Sequence, residues 1–587
     1  MAPSNQSRHR AGHQQPASKK FDGINSQTAK ASCDSMSSSL GHWSPGTYTA
    51  LKALLSARLC AAVWGIITDC DETFNYWEPM HFVLYGKGMQ TWEYAPQYAL
   101  RSYFYLLLHA APAWLYDAIV TSNRVLVFFF VRCLLAMLSS ACELYFYKGV
   151  LVAYGPRVAR STLCLLVFST GMFAASTAFL PSSFAMQAVA CGMGAWLQRQ
   201  HKLAIFCYAV AALLGWPFAA VLGAPVAYDI VVRKGKLKLF LLWSFLSAVI
   251  ILVPMVQLDS LYYGRLVVAP LQLVLYNVFT AHGPDLYGTE PWSFYVINGF
   301  LNFNLAFLLA LAALPLLCLS VMCGMTNGRS HAPEWLSLAG LYLWLAVFFL
   351  QPHKEERFLF PVYPLICLAA AMALESVERL LKRLPLQNCS ALASYVTLSL
   401  LVTSSVVSLS RSVGQYRSYH APLDIFLELQ RLPAQPSRAV TRLCLGKEWH
   451  RFPSSFFLPN DRWELHFIKS SFKGQLPQHF LQTENATAIE RSNFNDLNLE
   501  ETDRYVNAES CHYLIDQDTP EFSHEEPRYS TQTKTWSTVT AVPFLDKLRS
   551  PALFRAFYIP YLTDVYCEFN NYTLLENIAL FKRRKNT

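Results

Sequence analysis

The chain has 587 residues, 53% apolar and only 15% charged, where ordinary soluble domains carry roughly 25% charge. With a mean hydropathy of +0.24, this composition excludes a disordered chain, a collagen and a string of soluble domains. The net charge of +9 is the excess a membrane protein carries on its cytoplasmic loops, which argues against nucleic acid as a partner. The 15 cysteines are too dilute for a disulfide scaffold, and most fall in apolar runs, where a thiol acts as a small hydrophobe.

Residues 1–45 are rich in Ser, Gln, His and Lys and hold no apolar signal core, so they are expected to be a disordered cytoplasmic tail. Apolar runs long enough to span a bilayer follow near 49–67, 123–146, 161–178, 183–198, 203–228, 239–256, 296–322, 334–351, 358–377 and 391–410. A further stretch at 100–119 is ambiguous. Basic clusters at Lys148/Arg157/Arg160, Arg233–Lys238 and Arg379/Lys382/Arg383 belong on the cytoplasmic side. Threading the runs under that constraint works only if 203–228 turns at Trp216-Pro217, as two crossings or as a pair of half-helices. The expectation is a polytopic α-helical membrane domain over 46–414 with about eleven transmembrane helices. A soluble, mixed α/β, luminal domain is expected over 415–587. Asn485 and Asn571 head glycosylation sequons in that domain. Asn5 and Asn388 head two more on the cytoplasmic side, where modification is not expected.

Polar residues at membrane boundaries carry the chemistry of such a chain. Three groups fall on one expected side. "TDCDETFNYWEPMH" (68–81) crowds Asp69, Asp71, Glu72 and Glu78 among Phe74, Tyr76 and Trp77. It reads as a general base, as a cation site, or as an acidic loop in an aromatic belt. "QPHKEERFLFPVYP" (351–364) puts His353, Lys354 and Arg357 on one face if it is helical, an anion site suited to a lipid phosphate. Lys–Glu and Glu–Arg pairs within a loop are the plainer reading. The segment 257–295, punctuated by Gly and Pro, is expected to be an ordered loop. It holds His282, Asp285, Tyr287 and Glu290, aromatic and polar groups of the kind that bind sugar faces and hydroxyls. Walker, HExxH, CxxC and GxSxG motifs are absent, so a nucleotide loop, a structural zinc or a serine nucleophile is not expected.

Glycosyl transfer from a lipid-phosphate sugar suits this combination. The leaving phosphate needs positive charge, which His353, Lys354 and Arg357 supply. The acceptor hydroxyl needs a carboxylate base, and a single base with direct displacement inverts the anomeric centre. A retaining route with a carboxylate nucleophile remains open. No metal or cofactor is expected if protein cations hold the phosphate, although the carboxylate cluster keeps a metal open.

The stretches "CDETFNYWEPMHFVLYGKGMQTWEYAP", "GMFAASTAFLPSSFAM", "YNVFTAHGPDLYGTEPW", "QPHKEERFLFPVYPLICL" and "GKEWHRFPSSFFLP" resemble the GT-C glycosyltransferases that use dolichyl-phosphate-mannose. Within that superfamily they are most similar to the endoplasmic-reticulum α-1,2-mannosyltransferases of N-glycan precursor assembly. The resemblance implies a dolichyl-phosphate-mannose donor, a lipid-linked oligosaccharide acceptor and a luminal active site in a multi-pass membrane protein. It puts the acidic motif on Asp71 and Glu72, with Asp71 as base and Glu72 orienting it or the acceptor, or the reverse. It puts donor phosphate on His353, Lys354 and Arg357. Tyr76, Trp77 and Glu78 join His282, Asp285, Tyr287 and Glu290 as acceptor contacts. An oxidising lumen would allow disulfides among Cys70, Cys444, Cys511 and Cys567, with Cys444–Cys511 the expected pair. The alternatives are a same-superfamily enzyme with a glycolipid-anchor acceptor or an α-1,6 linkage, a transporter using Asp71, Glu72 and His353 as an ion relay, and a glycan-binding protein without turnover.

Overall fold

Inside a bilayer backbone N–H and C=O groups find no water, so apolar runs must pair their own polar groups as helices. The computed structural model describes residues 43–120, 123–279, 284–325, 332–383, 389–432 and 440–585. Helices α1 (Thr47–Trp64), α2 (Tyr103–Ile119), α3 (Arg124–Tyr154), α4 (Pro156–Phe168), α5 (Pro181–Leu197) and α6 (His201–Val210) come first. They are followed by α7 (Leu237–Tyr263), α8 (Ala269–Phe279), α9 (Ser293–Phe303), α10 (Leu305–Met322), α11 (Glu334–Leu350), α12 (Tyr363–Lys382) and α13 (Cys389–Tyr419). Among the described residues, five helical segments are long and apolar enough to cross a membrane: α3, α7, α10, Glu356–Lys382 and Ala391–Tyr419. The other apolar helices are shorter or, like the 18-residue α1, less apolar, so the expected count of crossings does not follow from helix length alone.

Several expected runs are broken, each for a local reason. The 203–228 run leaves helix at Trp216, which is extended before Pro217, and continues as short helical turns. The break thus falls at the expected Trp216-Pro217. The 296–322 run breaks at Asn304, where φ is +43°. Asn304 suits that position because its side chain accepts from Leu305 N and Ser404 Oγ and donates to Ser408 Oγ. The loop expected over 257–295 is corrected: α7 runs on to Tyr263, and α8 occupies Ala269–Phe279. Gly264 ends α7 and Pro270 stands in the first turn of α8, while residues 288–291 lie outside helices.

The helices pack through small residues and paired charges. A Cβ on Gly149 of α3 would meet Gly194 O of α5 at 2.7 Å, so the two backbones touch only because both residues are glycine. Arg58 and Glu143 form a two-pronged pair with both bonds at 2.8 Å, buried between α1 and α3. Leu166 O accepts a further bond from Arg58. Arg132 donates to Gly65 O and Ala61 O, closing the C-terminal end of α1.

After α13 comes α14 (Ala421–Glu428) and then a mixed sheet. Its strands are β2 (Thr441–Leu445), β3 (Trp463–Phe467), β5 (Tyr513–Asp518), β6 (Trp536–Leu545) and β7 (Phe569–Asn577), in the order β3-β2-β5-β7-β6. The pairs β2–β3 and β2–β5 are parallel, and β5–β7 and β6–β7 antiparallel. The short strand β1 (Met89–Gln90) pairs with β4 (Gln478–His479), which stitches the segment after α1 to the C-terminal region. Residues Pro45–Thr587 form one compact unit, and α13 continues as helix past residue 415 to Tyr419.

Cys444 on β2 and Cys511 just before β5 form the expected disulfide, closing a separation of 67 residues. Cys70 and Cys567 are free thiols. Restricting a loop of that length in the unfolded chain is worth about 4 kcal/mol in the chain-entropy account. Replacing both cysteines with serine should lower the unfolding temperature of the protein in detergent, and reductant should lower the parent's to match. An unchanged melting curve in both cases would refute the structural role.

Candidate active site

The site begins directly after α1. Asp69 caps a turn at Cys70–Glu72, its Oδ1 accepting from Asp71 N at 2.9 Å. The helical path continues through a π-helical turn, Thr73–Trp77, into Glu78–Tyr85. The two acidic neighbours Asp71 and Glu72 precede that turn and, as successive helical residues, point in different directions. Asp71 opens to a cavity of about 540 Å³, whereas Glu72 points into the protein and is 3% exposed. Glu72 accepts from Trp77 Nε1 at 3.0 Å and Phe179 N at 3.0 Å. Burial raises its carboxyl above the usual range, and the Arg132 charge opposes that rise.

The second motif meets the first through Arg357. Its Nη1 lies 2.6 Å from Asp71 Oδ2 and 3.0 Å from Asp69 Oδ2, and its Nε lies 2.5 Å from Glu355 Oε2. Glu355 also faces His353 Nε2 at 3.2 Å, while His353 Nδ1 is bonded to Gly288 O. One guanidinium therefore stands among three carboxylates, its Nη1 shared by Asp69 and Asp71 and its Nε facing Glu355. A second cation stands close by. Arg101 pairs with Glu93 at 2.8 Å and donates to the Tyr76 hydroxyl at 2.8 Å. Aromatic rings from separate parts of the chain close the cavity: Trp92, Trp216, Tyr276, Tyr287, Phe358 and, from the C-terminal region, Trp449.

Charge balance sets the titration of these groups. Burial pushes Asp69 up to about 7, against the pull of Arg357. Asp71 is also desolvated, but Arg357, Arg101 and hydrogen bonds from Arg357 and Asn75 outweigh burial and leave it below the usual carboxylate range. The Glu355 hydrogen bond raises His353. Asp69, Cys70 and Asp71 offer ligand atoms within 4.8 Å of one another, but the two carboxylates already share the Arg357 guanidinium. The set is thus cation-filled by the protein itself.

Of the residues expected from sequence, Asp71, Tyr76, Tyr287, His353 and Arg357 line one cavity. The single helical face for His353, Lys354 and Arg357 is corrected. Residues 352–355 are not helical, and a 3₁₀ turn starts only at Glu356. Lys354 is turned away, its ammonium bonded to Glu290 O and Gln351 O. Trp77 and Glu78 are fully buried. Glu78 accepts from Ser454 Oγ, Ser455 N, Ser455 Oγ and Met89 N, which anchors residues 454–455 to the site helix. Glu290 has an exposed side chain outside the cavity lining. His282 lies outside the described residues, as does the side chain of Asp285; Asn5 and Asn388 also lie outside them. Asn75, Glu93, Arg101 and Glu355 were not anticipated at the site. Glu355 had been legible only as a loop-internal partner, which it also is. Glu93 lies within the motif stretch 70–96 and Arg101 within the ambiguous stretch 100–119, and nothing in the local spelling marks either as a site residue.

Residues 49–459 match the Alg9-like mannosyltransferase family. The chain is 50% identical over 579 residues to alpha-1,2-mannosyltransferase ALG9 of Mus musculus, covering 96% of this chain and 94% of that one. It is 51% identical to alpha-1,2-mannosyltransferase ALG9 of Homo sapiens, covering 91% and 89%. Among solved structures, ArnT from Cupriavidus metallidurans bound to undecaprenyl phosphate aligns with a TM-score of 0.46 at 13% identity, covering 72% of this chain and 85% of that one.

The raised Asp69 has a consequence for stability. Its carboxyl binds a proton more tightly folded than unfolded, so its contribution is full below the unfolded value of 3.8 and is lost as pH rises through about 7. Asp69→Asn removes that titration. The stability of the parent should therefore fall relative to Asp69→Asn between about pH 4 and about pH 7 and level off above that, read as the difference in unfolding temperature. A difference independent of pH would show that Asp69 does not titrate in that window.

Proposed function

The chain belongs to the Alg9-like mannosyltransferase family and is an α-1,2-mannosyltransferase of the membrane; we propose that it moves mannose from dolichyl-phosphate-mannose to a mannosylated dolichyl-diphosphate oligosaccharide, with inversion. The observation that carries the proposal is Arg357, which sits within 2.6 Å of Asp71 on the wall of the cavity. A phosphate-binding cation and a carboxylate base thus share one cavity, and in-line displacement has the donor sugar part them, with the phosphate on the Arg357 side of the anomeric carbon and the acceptor hydroxyl on the Asp71 side. Asp71 is the more open of the two acidic neighbours, with 31% side-chain exposure, and takes the role of base.

The steps follow from charge. The donor phosphate draws the Arg357 guanidinium from its carboxylates, helped by His353. Releasing Asp71 from Arg357 raises its proton affinity when an acceptor hydroxyl arrives. The hydroxyl oxygen attacks the anomeric carbon, Asp71 accepts its proton, and the anomeric bond to the dolichyl phosphate breaks with both electrons on the phosphate oxygen. Arg357 and His353 stabilise the negative charge that develops there. Glu72 is a positioning residue that fixes the turn carrying Asp71. Lys354 acts on the donor only indirectly, by holding the backbone at Glu290 and Gln351. No metal is required, because the guanidinium stands where a cation between Asp69 and Asp71 would act. A second, small cavity of about 40 Å³, lined in part by Leu213, Leu214, Pro217 and Pro270, shares Trp216 and Leu273 with the first; it marks the side on which the polyprenyl tail would leave for the lipid.

The proposed setting is the endoplasmic reticulum, with the site and the C-terminal region in the lumen and the segment 1–45 in the cytoplasm. Asn485 and Asn571 are exposed, consistent with glycosylation. Thr487 Oγ1 donates to Tyr262 O, and Thr573 Oγ1 to Asp516 O. Both sequon hydroxyls are therefore engaged in the fold, so transfer to these asparagines would precede folding. Endoglycosidase digestion of microsomal protein should give two mobility shifts, one lost in Asn485→Gln and the other in Asn571→Gln. Absence of both would count against a luminal C-terminal region.

The reaction itself is tested with purified protein, dolichyl-phosphate-mannose and a mannose-deficient lipid-linked oligosaccharide. The product should be cleaved by an α-1,2-mannosidase and form equally in EDTA. Asp71→Asn should lose about 10²–10⁴-fold in turnover, the range for removing a general base, while keeping donor affinity. Arg357→Ala should lose donor affinity as well. Transfer that needs a divalent ion, or that survives Asp71→Asn, would overturn the assignment.

A further inference from the structure

Few groups outside the cavity are as conspicuous as an apolar surface near the C-terminus. Between β6 and β7 the chain makes two short helices, α15 (Ala552–Ala556) and α16 (Leu562–Tyr566). They expose Leu548 (77%), Tyr561 (85%) and Val565 (75%), joined by Leu553, Leu562 and Tyr566. Tyr561 is held at φ +66°, a backbone state costly for a residue with a Cβ. The fold thus accepts local strain while presenting the ring outward. Lys547 and Arg549 are exposed beside this surface, and Arg555 is half-buried.

The surface is fastened to one place on α13. Tyr558 N donates to Ser410 O, and Ser410 Oγ donates to Tyr558 O. Arg411 donates to Ala556 O at 2.9 Å, and Arg417 pairs with Asp564 at 3.0 Å. Arg417 also lies 4.6 Å from the Tyr558 ring centroid. Gly414 permits the approach, since a Cβ there would meet Tyr558 N at 3.1 Å.

That place is where α13 leaves hydrocarbon. Its exposed apolar stripe runs Leu392, Tyr395, Leu398, Val402, Val406, Leu409, the spacing of one helix face. From the first to the last of these the helix rises about 26 Å at 1.5 Å per residue, close to the roughly 30 Å hydrocarbon thickness of a bilayer. The first arginine, Arg411, follows two residues later. The exposed Leu, Val and Tyr side chains of 548–566 therefore continue the lipid-facing stripe at the level where aromatic and basic residues meet head groups.

We propose that residues 548–566 lie in the membrane interface, with Leu548, Leu553, Tyr561, Leu562, Val565 and Tyr566 inserted among lipid, as a second membrane attachment of the C-terminal region beside α13. The occupant is the bilayer itself. The contiguity with a spanning helix argues for lipid, and the flanking Lys547 and Arg549 suit phosphate head groups. The attachment would hold the sheet, and with it Trp449 and the 454–455 anchor, at a fixed height over the cavity.

The test uses the full chain reconstituted in phosphatidylcholine vesicles that contain a phosphatidylcholine with a diazirine in its acyl chain. After illumination, peptides covering 548–566 should carry label at the level of those covering 392–409. They should exceed, several-fold, peptides from the exposed part of β6 at 537–541. Tyr561→Asp combined with Val565→Asp should remove most of the 548–566 label while the 392–409 label stays, the latter showing that the variant remains inserted. Label no higher than that of 537–541 in the parent, with 392–409 labelled, would overturn the proposal. So would a bifunctional amine reagent, applied to a parallel sample, that joins two copies through Lys547 while 548–566 stays without lipid label.

Discussion

Arg357 is the interaction on which the site depends. Three carboxylates, Asp69, Asp71 and Glu355, converge on it at the edge of the membrane domain. Such a cluster would be strongly disfavoured by desolvation without a cation in its midst. The guanidinium supplies the charge and a fork of donors, so one side chain ties the turn after α1 to the turn before α12. It also couples the groups chemically: whatever binds Arg357 alters the proton affinity of Asp71. The same contact that stabilises the empty site is thus the one a phosphate would rearrange.

The cavity needs the C-terminal region as much as the helices. Glu78 is buried and accepts four hydrogen bonds, three of them from Ser454 and Ser455. Removing those donors would leave a buried carboxylate unsatisfied, which costs far more than an ordinary lost hydrogen bond. Around this anchor, Phe74 lies against Trp449 and Phe452 with ring centroids 6.0 Å apart in both cases. Thr73 Oγ1 donates to Phe452 O at 2.8 Å. The site helix is therefore clamped by chain that lies far along the sequence, and Trp449 becomes a wall of the cavity.

Within the helical region, polar groups are spent on geometry. Arg58 with Glu143, Arg132 with the end of α1, and Asn304 with α13 each satisfy groups that hydrocarbon would leave unpaired. The break at Trp216-Pro217 opens the helix path beside the cavity, and Trp216 stacks on Phe358 at 5.0 Å, next to Arg357. A discontinuous helix next to a polar site is tolerated because packed rings and neighbouring helices cover its backbone.

The sequence by itself determined the class of the protein. Apolar runs require helices in a membrane, and acidic and basic motifs at their ends mark one active face. The motif spellings also carried the resemblance to the mannosyltransferase family, and the separation of a helical region from a mixed C-terminal region was legible in the loss of apolar runs. The tertiary structure decided which charges face the cavity. Asp71 and Glu72 are adjacent and alike in sequence, yet the partners Trp77 and Phe179 hold Glu72 inward. Lys354 sits between His353 and Arg357 in a cationic string, yet backbone carbonyls capture it. Arg101 reaches the site from outside the motif stretches, and Glu93 and Trp449 lie within them at positions whose spelling did not mark a role in the cavity. Side-chain direction depends on the partners that folding brings near, and local spacing contains no information about partners that are distant in the chain.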